Sequence, residues 1–494
     1  MPKQYILAID QGTTGSRAIL YDASGGAKAS AYQEFSQHYP KPGWVEHDAS
    51  EILNSVHRVI RKAIIKAGIS GKQIGAIGIT NQRETTVLWD RFTGKPLLRA
   101  IVWQDRRTDV LCRALKKQNY EAVFSKKTGL LLDPYFSGTK LRWCFDSHSW
   151  LRRKAQLGSI CFGTIDSWLL FHLSGKEIHA TDFTNASRTL VFNIKRKKWD
   201  SELCKILHVP ASVLPQARPS NSLFGKTKNF SPLPDGIPIH ALIGDQQAAL
   251  FGQGCYNAGD SKNTYGTGCF MLLNLGAHFS RSHSGLLTTL ACDAKGDPTY
   301  ALEGSVFIGG AAVQWLRDGL KVIRKASETE LIARKISGSS EVVVVPAFTG
   351  LGAPYWRPDV RGAVFGITRG TTREMIIKAT VDSIAFQVKD VFDLMRREGG
   401  VRIPTLKVDG GASKNHYLMQ FQADLLDVPI LVSSFSESTA WGAAKLAGFA
   451  SGLWPNLRQL DQKTRYEVFK PKMAPKKRKA LLEQWKAAVQ RLIS

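Results

Sequence analysis

In the stretch YILAIDQGTTGSRAILYD, an apolar run ends on Asp10, hydroxyls follow at Thr13 and Thr14, and Arg17 enters the next apolar run. Gly12 and Gly15 can take positive φ at no steric cost in a tight turn between two strands, and turn chemistry alone would explain them. The same residues suit a magnesium-bound phosphate, since hydroxyls and bare N–H groups donate to phosphate oxygens while a carboxylate holds a hard cation. At this loop taken alone, an ordinary hairpin and a phosphate cradle both stand open.

Transfer of a phosphoryl group asks little covalent chemistry of a protein: it needs donors around the phosphates, a cation, and an acceptor hydroxyl aimed in line. Three Gly-rich turns that close apolar runs could supply the donors: DQGTTGSR at 10–17, NTYGTGCF at 263–270 and VDGGASKN at 408–415. The commonest alternative is missing, because the GKT of Gly225, Lys226 and Thr227 has Ser220 where a Walker A loop requires glycine. That segment reads as a surface loop. No GxGxxG follows a strand, which argues against a dinucleotide enzyme. Asp10 in LAIDQ and Asp245 in LIGDQ each follow an apolar run and precede glutamine. Read as a weak internal repeat, they would occupy equivalent strand ends and converge if two halves face each other.

The elements that position these residues follow from periodicity. At 494 residues, with 43% hydrophobic content, two large domains are expected. Asp48 and Glu51 form a capping-box pair ahead of Ile52, Val56, Val59, Ile60 and Ala63, which share one helical face until Gly68 stops the helix. IGAIGIT then reads as a buried strand, an α/β rhythm. In the second half Ile377, Val381, Ile384, Val388, Val391 and Met395 mark a helix ended by Gly399 and Gly400. TLKVDGG reads as strand and turn, SKNHYLMQFQADLLD as helix, PILVSS as strand, and STAWGAAKLAGFASG as a small-residue helix suited to close packing.

The three loops, in this order and spacing, are similar to the two phosphate loops and adenosine loop of the superfamily of actin, heat-shock chaperone ATPases and sugar kinases. GITNQRETTVLWD, AIVWQDRRT, DPYFSGTKLRWCF, GDQQAALFGQ, PAFTGLGAPYWRPDVRGAVFG and ESTAWGAAKLAG resemble the FGGY carbohydrate kinases, in particular members acting on glycerol. The resemblance runs from about Tyr5 to about Trp454. It implies an α/β fold of two ribonuclease H-like domains around a central cleft: residues 1–253 with the glycerol site and catalytic Asp, and 254–494 with the nucleotide.

What it further implies is ATP-dependent phosphorylation of glycerol to sn-glycerol 3-phosphate, with Mg2+, serving glycerol catabolism and phospholipid precursor supply. Arg83 and Glu84 would hold two hydroxyls as a fixed donor and acceptor; Asp245 would accept the proton of the attacking hydroxyl; Gln246 and Tyr135 would add hydrogen bonds. Trp103 and Phe270 would press on the carbon backbone and exclude water. Asp10, with Asp245 nearby, would hold magnesium. Thr13, Thr14, Gly15 and Arg17 would lie along the phosphates, with Thr267 between Gly266 and Gly268 as the second cradle. Gly310, Gln314, Gly411 and Asn415 would bound the adenosine, Gly411 because a side chain would block the base or ribose.

The chain departs from the family in places. Gly15 stands where several members carry serine, leaving a backbone N–H to serve. Residues 229–238, NFSPLPDGIP, lack the Gly-Gly-Thr-Arg loop that binds fructose 1,6-bisphosphate in well-known bacterial members, and PKMAPKKRKA differs from their docking surface for a phosphotransferase-system protein. Both controls are expected to be absent.

Bulk properties limit the alternatives. Seven scattered cysteines without a CxxC pair suggest reduced thiols rather than a zinc or redox site. No signal peptide and no ~18-residue apolar span are read, so a cytoplasmic protein without a membrane span is expected. A net charge of +26 invites nucleic acid, yet it is spread along the chain without a recognition motif, and no specific nucleic-acid partner is expected. The rivals are another polyol or sugar kinase, and a chaperone-like ATPase, for which no partner-binding domain is left over. By family resemblance the chain would form a homo-oligomer, dimer or tetramer.

Overall fold

The computed structural model describes residues 4–336, 341–357, 359–434 and 437–494; Pro358, within the quoted 346–366 stretch, lies outside them. Among the described residues the chain builds two large sheets. The first has six strands in the order Gly225–Lys226, Pro238–Gly244, Ile74–Asn81, Tyr5–Gln11, Gly15–Asp22, Ala27–Glu34. Its three central strands are parallel, and Tyr5–Gln11 continues as an antiparallel meander through Gly15–Asp22. The second has seven strands, ordered Leu287–Cys292, Pro298–Val306, Cys269–Gly276, Ser261–Tyr265, Leu406–Asp409, Ile430–Ser433, Tyr466–Phe469. It repeats the plan: a meander joined through Ser261–Tyr265 to two parallel strands.

The expected helices form for the expected reasons. Ala49–Ala67 buries Ile52, Val56, Val59, Ile60 and Ala63 completely, and Gly68 closes it at φ 66°. Asp48 caps the N–H groups of Ser50 and Glu51 at 2.8 and 3.3 Å, while Glu51 turns away to accept from Ser36, so the box is half formed. Arg373–Gly399 buries all six residues of its predicted stripe.

Three expectations need correction. Gly225–Lys226 is an edge strand rather than a surface loop, and Thr227 beside it is buried, its hydroxyl donating to Pro234 O at 2.7 Å. Neither Gly12 nor Gly15 has positive φ; a Cβ on Gly15 would stand 2.5 Å from the Tyr32 hydroxyl, the tip of an exposed side chain, so turn conformation is not what calls for glycine there. The Asp-Gln match is not a structural repeat. The counterpart of Tyr5–Gln11 in the second sheet is Ser261–Tyr265, each opening a hairpin across a Gly-rich turn, whereas Asp10 lies in the first sheet and Asp245 directly follows one of its strands.

The small-residue helix Ser438–Ala450 packs closely, but on the first sheet. Ala440, Trp441, Ala443, Ala444 and Ala447 join Ile6, Ala8, Ala76, Ala241 and Ile243 in one core. A Cβ on Gly442 would lie 1.9 Å from Ala248 O, and one on Gly78 would lie 2.2 Å from Ala443 O. The later half of the chain therefore reaches back to the first sheet and braces the strands that carry the two acids.

Candidate active site

The parallel strands Tyr5–Gln11, Ile74–Asn81 and Pro238–Gly244 end at one edge of the first sheet, where open α/β sheets bind ligands. Asp10 lies in register with Thr80, and Gly244, which precedes Asp245, with Asn81. Two strand spacings separate the acids' backbones, roughly 10 Å, and their charges interact: burial pushes the Asp10 carboxyl up to about 7, Arg17 pulls it down, and the Asp245 charge pushes it up. Sheet adjacency, rather than two facing halves, brings the acids together.

Two residues beyond Asn81, the chain buries Arg83 and Glu84 side by side, 3% and 1% exposed. Glu84 sits at φ 61°, a left-handed conformation that a non-glycine residue keeps only where its surroundings enforce it. Its carbonyl accepts from Ser137 Oγ at 2.9 Å and Thr86 Oγ1 at 3.2 Å. Arg83 Nε lies 3.0 Å from Asp245 Oδ1, which also accepts the Gln246 N–H at 2.7 Å. Two residues that sequence reasoning passed over complete the arrangement. Glu303, on Pro298–Val306, accepts from Arg83 Nη1 and Nη2 at 2.5 and 3.0 Å and from Arg188 Nη2 at 3.0 Å, while Arg188 Nε donates to Glu84 Oε1 at 2.6 Å. Burial opposes charge on Glu303, but the Arg188 and Arg83 guanidiniums outweigh it and hold the carboxyl at about 2. Their signal in the sequence is faint: a lone acid inside YALEGSV, a lone arginine in NASRTL.

Around this group, Trp103 and Tyr135 meet edge to face at 5.6 Å, and Tyr135 lies under the Arg188 guanidinium at 5.5 Å. Trp103 Nε1 donates to Thr13 Oγ1 at 2.9 Å, linking a residue read as a polyol contact to one read as a phosphate contact. Gln246 Oε1 accepts from Lys262 Nζ at 2.5 Å, and the same ammonium donates to Thr264 Oγ1 and Phe270 O at 3.1 and 3.3 Å. Lys262 was also missed, being one cation in an otherwise uncharged strand. Burial draws it down to about 8 against the pull of Asp409, Asp245 and Glu303, with Arg83 lowering it further.

On the nucleotide side, Gly266 to Gly268 pack against the start of the helix Gly310–Gln314. The N–H groups of Gly309 and Ala311 donate to Thr267 O at 2.8 and 3.0 Å, and that of Gly310 donates to Gly266 O at 2.8 Å. Thr267 and Gln314 are exposed. Gly410 is needed by the protein itself, with φ 94° and a Cβ that would meet Tyr265 O at 2.4 Å; Gly411 is not, since a Cβ there meets nothing within 4 Å. The open space beside Gly411 suits a ligand. Two residues in this group have committed side chains: Asn415 caps the helix His416–Leu426 through Leu418 N at 3.0 Å and donates to Thr329 at 3.1 Å, and Arg17 pairs with Glu437. Thr14 is exposed, its hydroxyl 3.4 Å from that of Tyr32.

No cluster of three or more His, Cys, Asp or Glu suited to a metal occurs among the described residues. Two carboxylates, Asp10 and Asp245, fit magnesium, which takes one or two protein carboxylates and leaves its other positions to phosphates and water. All seven cysteines are unpaired and buried. No helix among the described residues is long and apolar enough to cross a membrane.

Comparison with known proteins bears on this geometry. Residues 5–252 match the N-terminal domain, and residues 261–451 the C-terminal domain, of the FGGY family of carbohydrate kinases. The chain is 54% identical over 486 residues to a glycerol kinase of Bacillus velezensis, covering 98% of both chains. It is 53% identical over 488 residues to a glycerol kinase of a Geobacillus species, covering 99% of this chain and 98% of the other. Among solved structures it resembles Plasmodium falciparum glycerol kinase with ADP, at TM-score 0.94 and 38% identity over 99% of this chain and 98% of that one. Gluconate kinase from Lactobacillus acidophilus shares the fold at TM-score 0.88, 23% identical over 98% of this chain and 97% of the other.

Proposed function

The chain belongs to the FGGY family of carbohydrate kinases, and from that premise we propose that it transfers the γ-phosphoryl group of ATP to glycerol. The products are sn-glycerol 3-phosphate and ADP. The observation that carries this reading is the buried donor and acceptor, Arg83 and Glu84, set beside Asp245 and Asp10 at one sheet edge. A polyol requires both a donor and an acceptor at neighbouring hydroxyls, and phosphoryl transfer requires acids that tolerate a cation.

Arg83 donates to and Glu84 accepts from two glycerol hydroxyls, and the third is left facing Asp245. As its oxygen bonds to the γ-phosphorus and the bond to the ADP oxygen breaks, its proton passes to the Asp245 carboxylate. A carboxylate is a weak base toward an alcohol, but a loose transition state keeps the proton on the nucleophile until late, so positioning matters more than basicity. Gln246 and Tyr135 hydrogen-bond the polyol; Trp103 and Phe270 cover its carbons and keep out water, the competing acceptor. Asp10 with Asp245 would hold magnesium, which would supply neutralisation of the charge developing on the phosphates. Thr13, Thr14, Gly15, Arg17 and Thr267 line the phosphates, and Gly310, Gln314, Gly411 and Asn415 the adenosine. On this reading residues 1–253 hold the polyol and residues 254–494 the nucleotide; the protein works in the cytoplasm as a homo-oligomer.

Purified protein with magnesium, ATP and a panel of glycerol, erythritol and xylulose tests the reading. Glycerol is expected to give the highest kcat/KM. Preferred turnover of xylulose or erythritol would reassign the substrate, and ATP hydrolysis indifferent to every polyol would remove the kinase reading.

A further inference from the structure

Four fully buried charges surround the pocket proposed for glycerol: Arg83, Glu84, Arg188 and Glu303, none more than 3% exposed. Two positive and two negative, they close a ring through contacts of 2.5 to 3.0 Å, completed by the 4.0 Å approach of Arg83 Nε to Glu84 Oε1. Glu303 takes both terminal nitrogens of Arg83, a two-point grip that fixes the plane of the guanidinium. Arg188 then joins the two acids, donating to Glu84 through Nε and to Glu303 through Nη2. Its guanidinium lies beside the rings of Tyr135 and Phe136, at 5.5 and 5.2 Å, and its Nη1 has no hydrogen-bond partner.

A buried ion network is weak evidence for stability, because desolvation of the charges offsets most of their attraction. Its location suggests another use. Glu303 is the ring member carried by the second sheet, on the strand paired with Cys269–Gly276, which leaves the Gly-rich turn at 266–268. Arg83 reaches 220 residues along the chain to meet it.

We propose that Arg188 and Glu303 are positioning residues for polyol recognition, fixing the Arg83 donor and the Glu84 acceptor and tying their alignment to the second sheet. This rests on the assignment of Arg83 and Glu84 to the glycerol hydroxyls. Neither Arg188 nor Glu303 need touch substrate. Their loss would misalign the Arg83 donor and the Glu84 acceptor, so the reward for a correctly spaced pair of hydroxyls disappears.

The test compares glycerol with propane-1,2-diol, which lacks one hydroxyl, in the full-length protein and in Glu303→Gln and Arg188→Lys. Wild type should favour glycerol strongly. In Glu303→Gln the KM for glycerol should rise by a factor on the order of 10 to 100, the range set by losing a hydrogen bond to a charged group. The KM for ATP should move by less than about threefold. In both variants the ratio of kcat/KM for glycerol to that for the diol should fall towards one. Arg188→Lys keeps the charge but loses the planar fork, so rescue of the ratio by lysine would show that charge balance alone matters and would overturn the proposal. The ratio is read within one preparation, so partial misfolding, which scales both substrates alike, does not imitate the effect. An unchanged ratio in both variants would also overturn it. Wild-type protein inactive on glycerol would instead dispose of the functional reading beneath it.

Discussion

At the scale of single residues, the site pairs groups whose chemistry depends on what surrounds them. Asp245 is held by Arg83 Nε and the Gln246 N–H, contacts that keep its carboxylate aimed. Asp245→Asn should lower kcat by about 10² to 10⁴, the usual worth of a positioned proton acceptor; turnover near wild type in a coupled ADP assay would take Asp245 out of the mechanism. Lys262 gives a pH signature. Its ammonium, drawn down to about 8 by burial, orients Gln246 by donating to its amide oxygen. Asp409, Asp245 and Glu303 favour the charged form and Arg83 disfavours it. A charge-assisted hydrogen bond is roughly twice as strong as a neutral one, so kcat/KM for glycerol should fall as pH rises through about 8, and that limb should vanish in Lys262→Met. Stability runs the opposite way. The unfolded chain keeps this proton to about pH 10.4 whereas the folded chain sheds it near 8, so the group's contribution to stability increases with pH between those values. A limb that persists in Lys262→Met would assign the titration to another group.

At the scale of elements, the helix Ser438–Ala450 is the brace. Small residues let it lie directly on the first sheet and on the helix Asp245–Gly252, which begins with the proposed proton acceptor. There is no room for another carbon at Gly442, because the nearest atom is backbone and cannot rotate away. Gly442→Ala should destabilise the protein by about 1–3 kcal/mol through overpacking, measured as a lower urea midpoint at unchanged slope. It should also lower kcat by displacing the start of Asp245–Gly252; a variant as stable as wild type would mean that the two helices can separate freely. The Gly-rich hairpins repeat in both sheets, and the sequence did mark them. Their equivalence came from strand order, not from the Asp-Gln match, because two acids two strands apart in one sheet look the same in sequence as two acids in two repeats.

At the scale of the whole molecule, the halves are tied in two ways: Ser438–Ala450 sits in the core of the first sheet, and Glu303 grips Arg83 and Arg188. Neither half can unfold without exposing apolar surface or buried charge of the other. A single calorimetric transition is expected; two separated endotherms would contradict the coupling. Glycerol at 100 times its Kd should stabilise the protein by about 2.7 kcal/mol through mass action, raising the midpoint of that single transition. A ligand-induced rise confined to part of the unfolding signal would show that the halves melt apart.

The periodic helices and the three Gly-rich turns were legible in the chain itself, because apolar spacing and local motifs depend on near neighbours in sequence; Arg83, Glu84, Trp103, Tyr135 and Asp245 stood out only through the resemblance to the FGGY kinases. The close packing of STAWGAAKLAG was legible too, but not the surface it packs on. Tertiary structure alone decided that Asp10 and Asp245 share one sheet edge, that Lys262 meets Gln246, and that Arg188 and Glu303 close a ring with Arg83 and Glu84. Those contacts join residues up to 220 positions apart, and a buried charge has no periodicity: its partner is chosen by which strands lie side by side, a choice made only when the sheets assemble.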